Sequence, residues 1–235
     1  MIRVSVCMPI YNGMPYLKEQ VESILLQLEP NDELVVSDDG SSDESIAWLQ
    51  SLSDARVRIL RETPSRNPSY NLEKALKAAR GKYILLADQD DVWLSGKVDL
   101  MVAALQSHAL VVHDCMVTDE KLQVQLPSFF AVHGSGPGLV KNFVRNSYLG
   151  CCMGLRREVL DKALPFPKHI GMHDIWLGLV AALWFKTAFI PEKLVFYRRH
   201  GNNASTTSDK SKLNIWQQLQ LRLTLARQLA ATLFR

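Results

Sequence analysis

The sequence predicts an α/β domain on a mostly parallel, Rossmann-like sheet flanked by helices. Three observations carry this. Short apolar runs at residues 2–10, 33–37, 57–60 and 82–87 have the length of buried strands. Stretches with apolar residues at helical spacing lie between them. Acidic residues gather just past the second and fourth runs, where a parallel sheet places its ligands.

The elements follow in order. Ile2–Ile10 reads as a strand, and Leu17, Val21, Ile24, Leu25 and Leu28 then mark one face of a helix that Pro30-Asn31-Asp32 ends. Glu33–Ser37 is the second strand. Ser41 with Glu44 three residues on has the form of a capping box, and Ile46, Leu49 and Leu52 form the face of the helix it opens. Val57–Leu60 is the third strand. A helix from about Ser69 to Arg80 carries Leu72, Ala75, Leu76 and Ala79, with Gly81 as a C-cap residue. Lys82–Ala87 is the fourth strand.

Beyond residue 100 the pattern loosens. Val98–Leu105 reads as a helix, Ala109–Val117 as a strand and Pro127–Gly138 as a loop. Short helices are predicted at 139–146 and 156–164, and an apolar helix at Asp174–Trp184. Phe189–Arg198 reads as a strand pair or one bent strand. Asn202–Ser211 is polar, and Lys212–Phe234 is a last helix. This divides the chain into 1–205, with one half at 1–100 and a second at 101–205, and an appended linker and helix at 206–235.

A length of 235 residues suffices for a full core without disulfides or metal as staples. With 47% hydrophobic and 22% charged residues the chain is not a disordered one. A net charge of +3 gives no reason to invoke nucleic acid. Cys7, Cys115, Cys151 and Cys152 form no C-x-x-C pair, which points to reduced thiols in a reducing compartment. The apolar start runs straight into Pro9-Ile10-Tyr11-Asn12-Gly13, so it reads as a strand and not a signal peptide. No apolar run reaches the roughly 18 residues that cross a bilayer. A cytoplasmic protein is expected.

Two clusters hold candidate chemistry: Asp38-Asp39-Gly40-Ser41-Ser42 and Asp88-Gln89-Asp90-Asp91. Carboxylates packed at one sheet edge repel each other unless a cation neutralises them. Helix capping by Asp38 and Asp91 is the simpler alternative for either cluster alone. The chain has no G-x-G-x-x-G and no Walker lysine loop, so phosphates would be held mainly through a divalent ion.

These segments carry a resemblance. Val4-Ser5-Val6-Cys7-Met8-Pro9-Ile10-Tyr11-Asn12, Val35-Val36-Ser37-Asp38-Asp39-Gly40-Ser41, Asn71, Gly81-Lys82-Tyr83 and Leu86-Ala87-Asp88-Gln89-Asp90-Asp91 resemble, in order, the motifs of family 2 glycosyltransferases of GT-A fold. The resemblance spans residues 1 to about 200. It implies a nucleoside diphosphate sugar donor, Mn²⁺ or Mg²⁺, and inversion at the anomeric carbon. Pro9, Tyr11 and Asn12 would line the base and ribose pocket, Asp39 would bond the base, Asp90 would face ribose and diphosphate, and Asp91 would bind the metal. Asp174 in Gly171-Met172-His173-Asp174 matches the position of the family's base motif, with His173 where a Glu is common. A carboxylate there would take the acceptor's proton. Asn146–Arg157 resembles the acceptor floor, with Gly150 and Gly154 allowing close approach; a tight turn between core elements is the alternative. Trp176 and Trp93 would offer faces to sugar, or fill the core. Tyr197–Ser205 resembles the tail of bacterial rhamnosyltransferase-like members. There Arg198 would reach the diphosphate and His200 would complete the metal shell. A basic exposed strand end is the simpler alternative for the tail; taken with Asp88-Gln89-Asp90-Asp91-Val92-Trp93 and His173-Asp174, the resemblance implies dTDP-L-rhamnose as donor, with a UDP-sugar as the other class, and a glycan or lipid-linked oligosaccharide as acceptor in surface polysaccharide assembly.

The last helix is separate. Trp216, Leu219, Leu223, Ala226, Ala230 and Leu233 form a stripe that Leu221, Leu225 and Leu229 widen. From Lys210 on there are five basic residues and no acidic one. Such a helix docks on its own domain, pairs in a dimer, or lies as a peripheral contact on the inner face of an anionic membrane. Two rival functions use similar residues. A nucleotidyltransferase would show a Gly-rich basic loop after its first strand, and Tyr11-Asn12-Gly13-Met14-Pro15 is not one. A non-catalytic nucleotide-sugar-binding module would not need Asp174.

Overall fold

The computed structural model describes residues 2–168, 170–201 and 215–234. Nine strands form one sheet: β1 (Val4–Ile10), β2 (Glu33–Asp38), β3 (Val57–Leu60), β4 (Tyr83–Leu86), β5 (Val92–Trp93), β6 (Leu110–Thr118), β7 (Val124–Leu126), β8 (Met153–Arg156) and β9 (Thr187–Arg198). The order is β3-β2-β1-β4-β8-β6-β9-β5, with β7 paired on β6. β3, β2, β1 and β4 run parallel. β8 enters antiparallel to both β4 and β6, so the sheet is mixed where a mostly parallel one was expected. The reversal begins where the chain returns from the 119–152 excursion.

The helices are α1 (Leu17–Leu25), α2 (Ser45–Ser51), α3 (Pro68–Ala78), α4 (Lys97–Leu105), α5 (Phe129–His133), α6 (Leu139–Val144), α7 (Arg157–Ala163), α8 (His173–Trp184) and α9 (Ile215–Ala231). β1, β2 and β4 are buried almost throughout, as apolar strands inside a sheet should be. α1 turns Leu17, Val21 and Ile24 into the core, the spacing read from sequence. Asn67 caps α3, its side chain accepting from the backbone N–H groups of Ser69 and Tyr70, and Pro68 fits the first turn. β9 is a single strand whose pairing with β6 shifts register near Asp114, which is the bend anticipated from sequence.

Five expectations change. The capping box is not formed. Ser41 Oγ accepts from Asn12 N instead, and Asp43 takes over the start of α2 by accepting from Ser45 N. The loop at 127–138 contains α5, opened by Ser128, whose hydroxyl accepts from Ala131 N. Trp176, expected against acceptor sugar, is 1% exposed, and its indole donates to Ala163 O between α7 and α8. Trp93 is likewise buried, under the Lys97 ammonium at 4.0 Å. Gly154 is part of β8, where a Cβ would come within 2.7 Å of both Leu85 and Met101, so core packing and not sugar access excludes a side chain there.

Candidate active site

Parallel pairing of β1 with β2 and β4 brings three loops to one edge: Tyr11–Gly13, Asp38–Ser42 and Asp88–Asp91. Each is cross-linked. Gln89 accepts from Tyr11 N at 2.8 Å and donates to Tyr11 O at 3.1 Å. This pins the backbone and leaves the Tyr11 ring 58% exposed at the rim. Asn12 has a left-handed φ of 46°, held by Ser41 Oγ on its N–H and by Ser42 N on its side-chain oxygen. Pro9 is half-buried in β1 opposite Ser37. Asn71, in the first turn of α3, donates to Ile10 O and Ser37 O and so ties the ends of β1 and β2 together. Asp39 Oδ1 accepts from Ser65 N and Ser65 Oγ, with Lys74 Nζ at 3.9 Å. Gln89, Ser41, Ser42 and Ser65 were not singled out as binding residues. Gln89 lies within the acidic motif, but nothing local marks it as the partner of a residue 78 positions away.

The acidic edge is crowded. Burial, then the charges of Asp90 and Asp174, push the Asp88 carboxyl up to about 7. Burial, then Asp90 and Asp88, holds Asp91 well above the usual carboxylate range. Asp91 Oδ1 accepts from Arg198 N at 3.0 Å, while among the described residues its buried Oδ2 has no hydrogen-bond partner within normal distance, the Cys151 thiol being the carboxylate's near neighbour. Asp88, Asp91 and Cys151 bring ligand atoms within 4.8 Å of one another. His200 meets Asp90, with Nε2 at 2.8 Å from Oδ2, and stacks on Tyr16 at 4.7 Å. The two residues expected to share a metal, Asp91 and His200, thus belong to adjoining groups linked by the Asp90-Asp91 peptide. Arg198 contributes its backbone N–H to this edge. Its guanidinium lies over Tyr16 and pairs with Glu19. Residues 202–205 of the tail motif fall outside the described residues.

These groups fit a hard divalent ion. Carboxylate oxygens are suited to Mn²⁺ or Mg²⁺, an imidazole is better tolerated by Mn²⁺, and a buried carboxylate oxygen without a partner is what a cation would satisfy. The Cys151 thiol is softer and less suited to either.

Asp174 starts α8 and is buried, with Ile175 N donating to it at 2.6 Å. Burial raises its carboxyl to about 6, partly offset by the Ile175 N–H and by Asn146. The neighbouring His173 is pulled down to about 4 by burial, so its ring is neutral. It packs on Gly150, where a Cβ would lie 2.8 Å from Nε2, and Nδ1 is 3.4 Å from Ser69 Oγ. Below, Lys97 is fully buried and donates to Cys151 O at 2.7 Å.

The sequence profile of glycosyl transferase family 2 matches residues 5–164, the stretch that holds both acidic loops. The chain belongs to that family. This glycosyltransferase is 32% identical over 102 residues to WfgD of Escherichia coli, a UDP-Glc:α-D-GlcNAc-diphosphoundecaprenol β-1,3-glucosyltransferase, covering 43% of the chain and 40% of WfgD. It is 25% identical over 219 residues to TuaG of Bacillus subtilis, named for teichuronic acid biosynthesis, covering 91% and 85% of the two chains. Its fold is that of S. aureus TarS 1-349 in complex with UDP-GlcNAc (TM-score 0.74, 18% identity, 95% of this chain and 66% of that one). It is also that of the mannosyltransferase PcManGT from Pyrobaculum calidifontis with GDP-Man and Mn²⁺ (TM-score 0.63, 17% identity, 98% and 74%). This is the GT-A fold anticipated from sequence.

Proposed function

We propose that this glycosyltransferase transfers a sugar, with inversion, from a nucleoside diphosphate donor to a hydroxyl of a lipid-linked glycan in bacterial surface polysaccharide synthesis, at the cytoplasmic face of the membrane. One observation carries the reading: Asp174, on the acceptor side, is close enough to raise Asp88 at the strand edge. A base and a cation-binding site for the leaving group would therefore lie side by side. The WfgD name, with its UDP-sugar donor and diphosphoundecaprenol acceptor, favours a UDP-hexose over dTDP-L-rhamnose.

The exposed Tyr11 ring stacks on the base, Asn12 and Pro9 frame the ribose, and Asp39 accepts from the base. Asp91 and His200, with Asp88 and Asp90, would hold the divalent ion. When bound, that ion offsets the negative charge that develops on the departing diphosphate. The chain's own step is proton transfer. The acceptor hydroxyl bonds to C1 opposite the diphosphate, the C1–O bond to the diphosphate breaks, and the hydroxyl proton passes to Asp174. A carboxyl near 6 is mostly ionised at neutral pH yet more basic than a free one, which suits a general base.

The test is a thermal-shift screen of UDP-, dTDP- and GDP-sugars with and without Mn²⁺, followed by transfer assays. Stabilisation that needs both a nucleotide sugar and Mn²⁺, and is lost in His200→Ala, supports the reading. Binding of nucleotide sugars without turnover on any glycan acceptor would favour the non-catalytic module.

A further inference from the structure

α9 is fastened to its own domain. Trp184 Nε1 donates to Thr232 Oγ1, Gln228 to Lys168 O, and Arg222 to Val144 O. Leu229 is buried and Leu225 partly so. Docking does not use up the apolar side of the helix, however. Between α6, α8 and α9 an open groove of about 310 Å³ remains, walled by Val140, Phe143, Leu183, Ala226, Ala230 and Leu233 among others. Val140 is 75% exposed and Leu233 55%, and Val144, Leu221, Leu223 and Trp216 also point outward. A continuous apolar surface spread over three helices is more than the scattered exposed aliphatics of an ordinary surface.

The segments that frame it carry one sign of charge. Residues 121–157, which include α6, contain no Asp or Glu, and neither do 175–191 or 210–235. Lys141, Arg145, Arg222 and Arg227 belong to the helices and turns that frame the groove. No described helix is long and apolar enough to cross a membrane. An apolar face framed by segments that carry cations and no carboxylate is the surface chemistry that matches anionic lipid: side chains enter the acyl boundary while ammonium and guanidinium groups meet phosphate.

We propose that α6, the C-terminal end of α8 and α9 together form the face that docks on an anionic bilayer. The idea rests on the proposed lipid-linked acceptor, and it adds which surface faces the membrane. It differs from docking by the last helix alone because α6, which precedes the acceptor floor, takes part. α8 then runs from that face to Asp174, a helix of 12 residues or about 18 Å, so the membrane and the base lie at opposite ends of one rigid rod.

The experiment is flotation of the full chain with vesicles of phosphatidylcholine, with and without phosphatidylglycerol, in the absence of donor and acceptor. Binding is expected only to the phosphatidylglycerol vesicles and is expected to fall with salt. Val140→Glu and Leu233→Glu should each cut partitioning by about tenfold, because each puts a carboxylate into the interface. Leu26→Glu, at an 87% exposed leucine outside this face, should bind as wild type. Unchanged unfolding temperatures keep the variants comparable. Val140→Glu binding like wild type, equal binding to neutral vesicles, or a dimer that Val140→Glu dissociates with no vesicle binding would each overturn the proposal. Because flotation needs no turnover, its failure is separate from failure of the transfer assays.

Discussion

Asp174 is subject to opposite demands from folding and from chemistry. Its carboxyl is raised from 3.8 to about 6 by burial, so the folded chain binds this proton more tightly than the unfolded one. Below both values the group is neutral in either state and costs nothing. As pH rises from about 4 to 6 the fold loses stability from this residue, by up to about 3 kcal/mol once it is fully ionised. Asp174→Asn removes that cost. The variant should therefore unfold at higher temperature than wild type at pH 8 and show little difference near pH 4, by calorimetry. The same change should lower turnover by about 10²–10⁴-fold while donor binding by thermal shift persists. In the wild type, kcat/KM should fall as pH drops below about 6, and Asp174→Asn should lack that limb. Lys97 obeys the opposite sign. Burial pulls its ammonium down to about 8, so its penalty is present at neutral pH and lifts as pH climbs from 8 towards 10.5. The carboxylates could be read from sequence because they stand in runs at strand ends. Lys97 could not, because a lysine three residues after Leu94 at a helix start looks solvated until the fold closes over it.

Elements were legible where one face decides them, and illegible where partners are distant. The spacing in α1 and α3 declares a buried side, and both helices are found, but α3 stops at Ala78 and Ala79 is its C-cap; Gly81 is instead required where a Cβ would lie 2.5 Å from Ser5 N. The Ser41–Glu44 pair is a local rule that lost to a tertiary one: Asn12, 29 residues away, takes the Ser41 hydroxyl, and Asp43 fills the vacancy. α5 and β5 are too short to show a period. Trp176 was misread because an apolar helix buried nearly all round gives no hint of which aromatic faces a ligand. At the junction of the Gly150–Cys152 turn with α8 the constraint is steric. Gly150→Ala would place a methyl group against the His173 ring and push the first turn of α8, and Asp174 with it. The expected result is a drop in kcat of roughly 10²-fold, the scale of a 1 Å misplacement, with donor KM nearly unchanged. Steady-state kinetics separates the two. A loss confined to donor KM would contradict this account.

For the whole molecule, the acidic edge makes ligand binding and stability one measurement. Asp88 and Asp91 are held against mutual repulsion and burial, so a divalent ion with the donor should stabilise the fold more than either alone. At a concentration 100 times Kd the gain is about 2.7 kcal/mol. Calorimetry with Mn²⁺, with UDP-sugar and with both should show it, and EDTA should cancel it. Additive shifts without synergy would place the ion and the donor at separate sites. The sheet order has another consequence. After β6 the chain adds only the short β7 to the sheet before it rejoins at β8, antiparallel to β4 and β6, so most of Asp119 to Cys152 lies outside the parallel β3-β2-β1-β4 unit. That excursion holds α5, α6 and the turn beneath His173. None of its residues pairs with β1 or β2, although Phe129, Tyr148, Cys151 and Cys152 are buried in the shared core. The fold is thus a socket carrying an insert: on the proposed reading, a chimera that exchanges residues 119–146 alone should change which acceptor is used and leave nucleotide-sugar binding as it was.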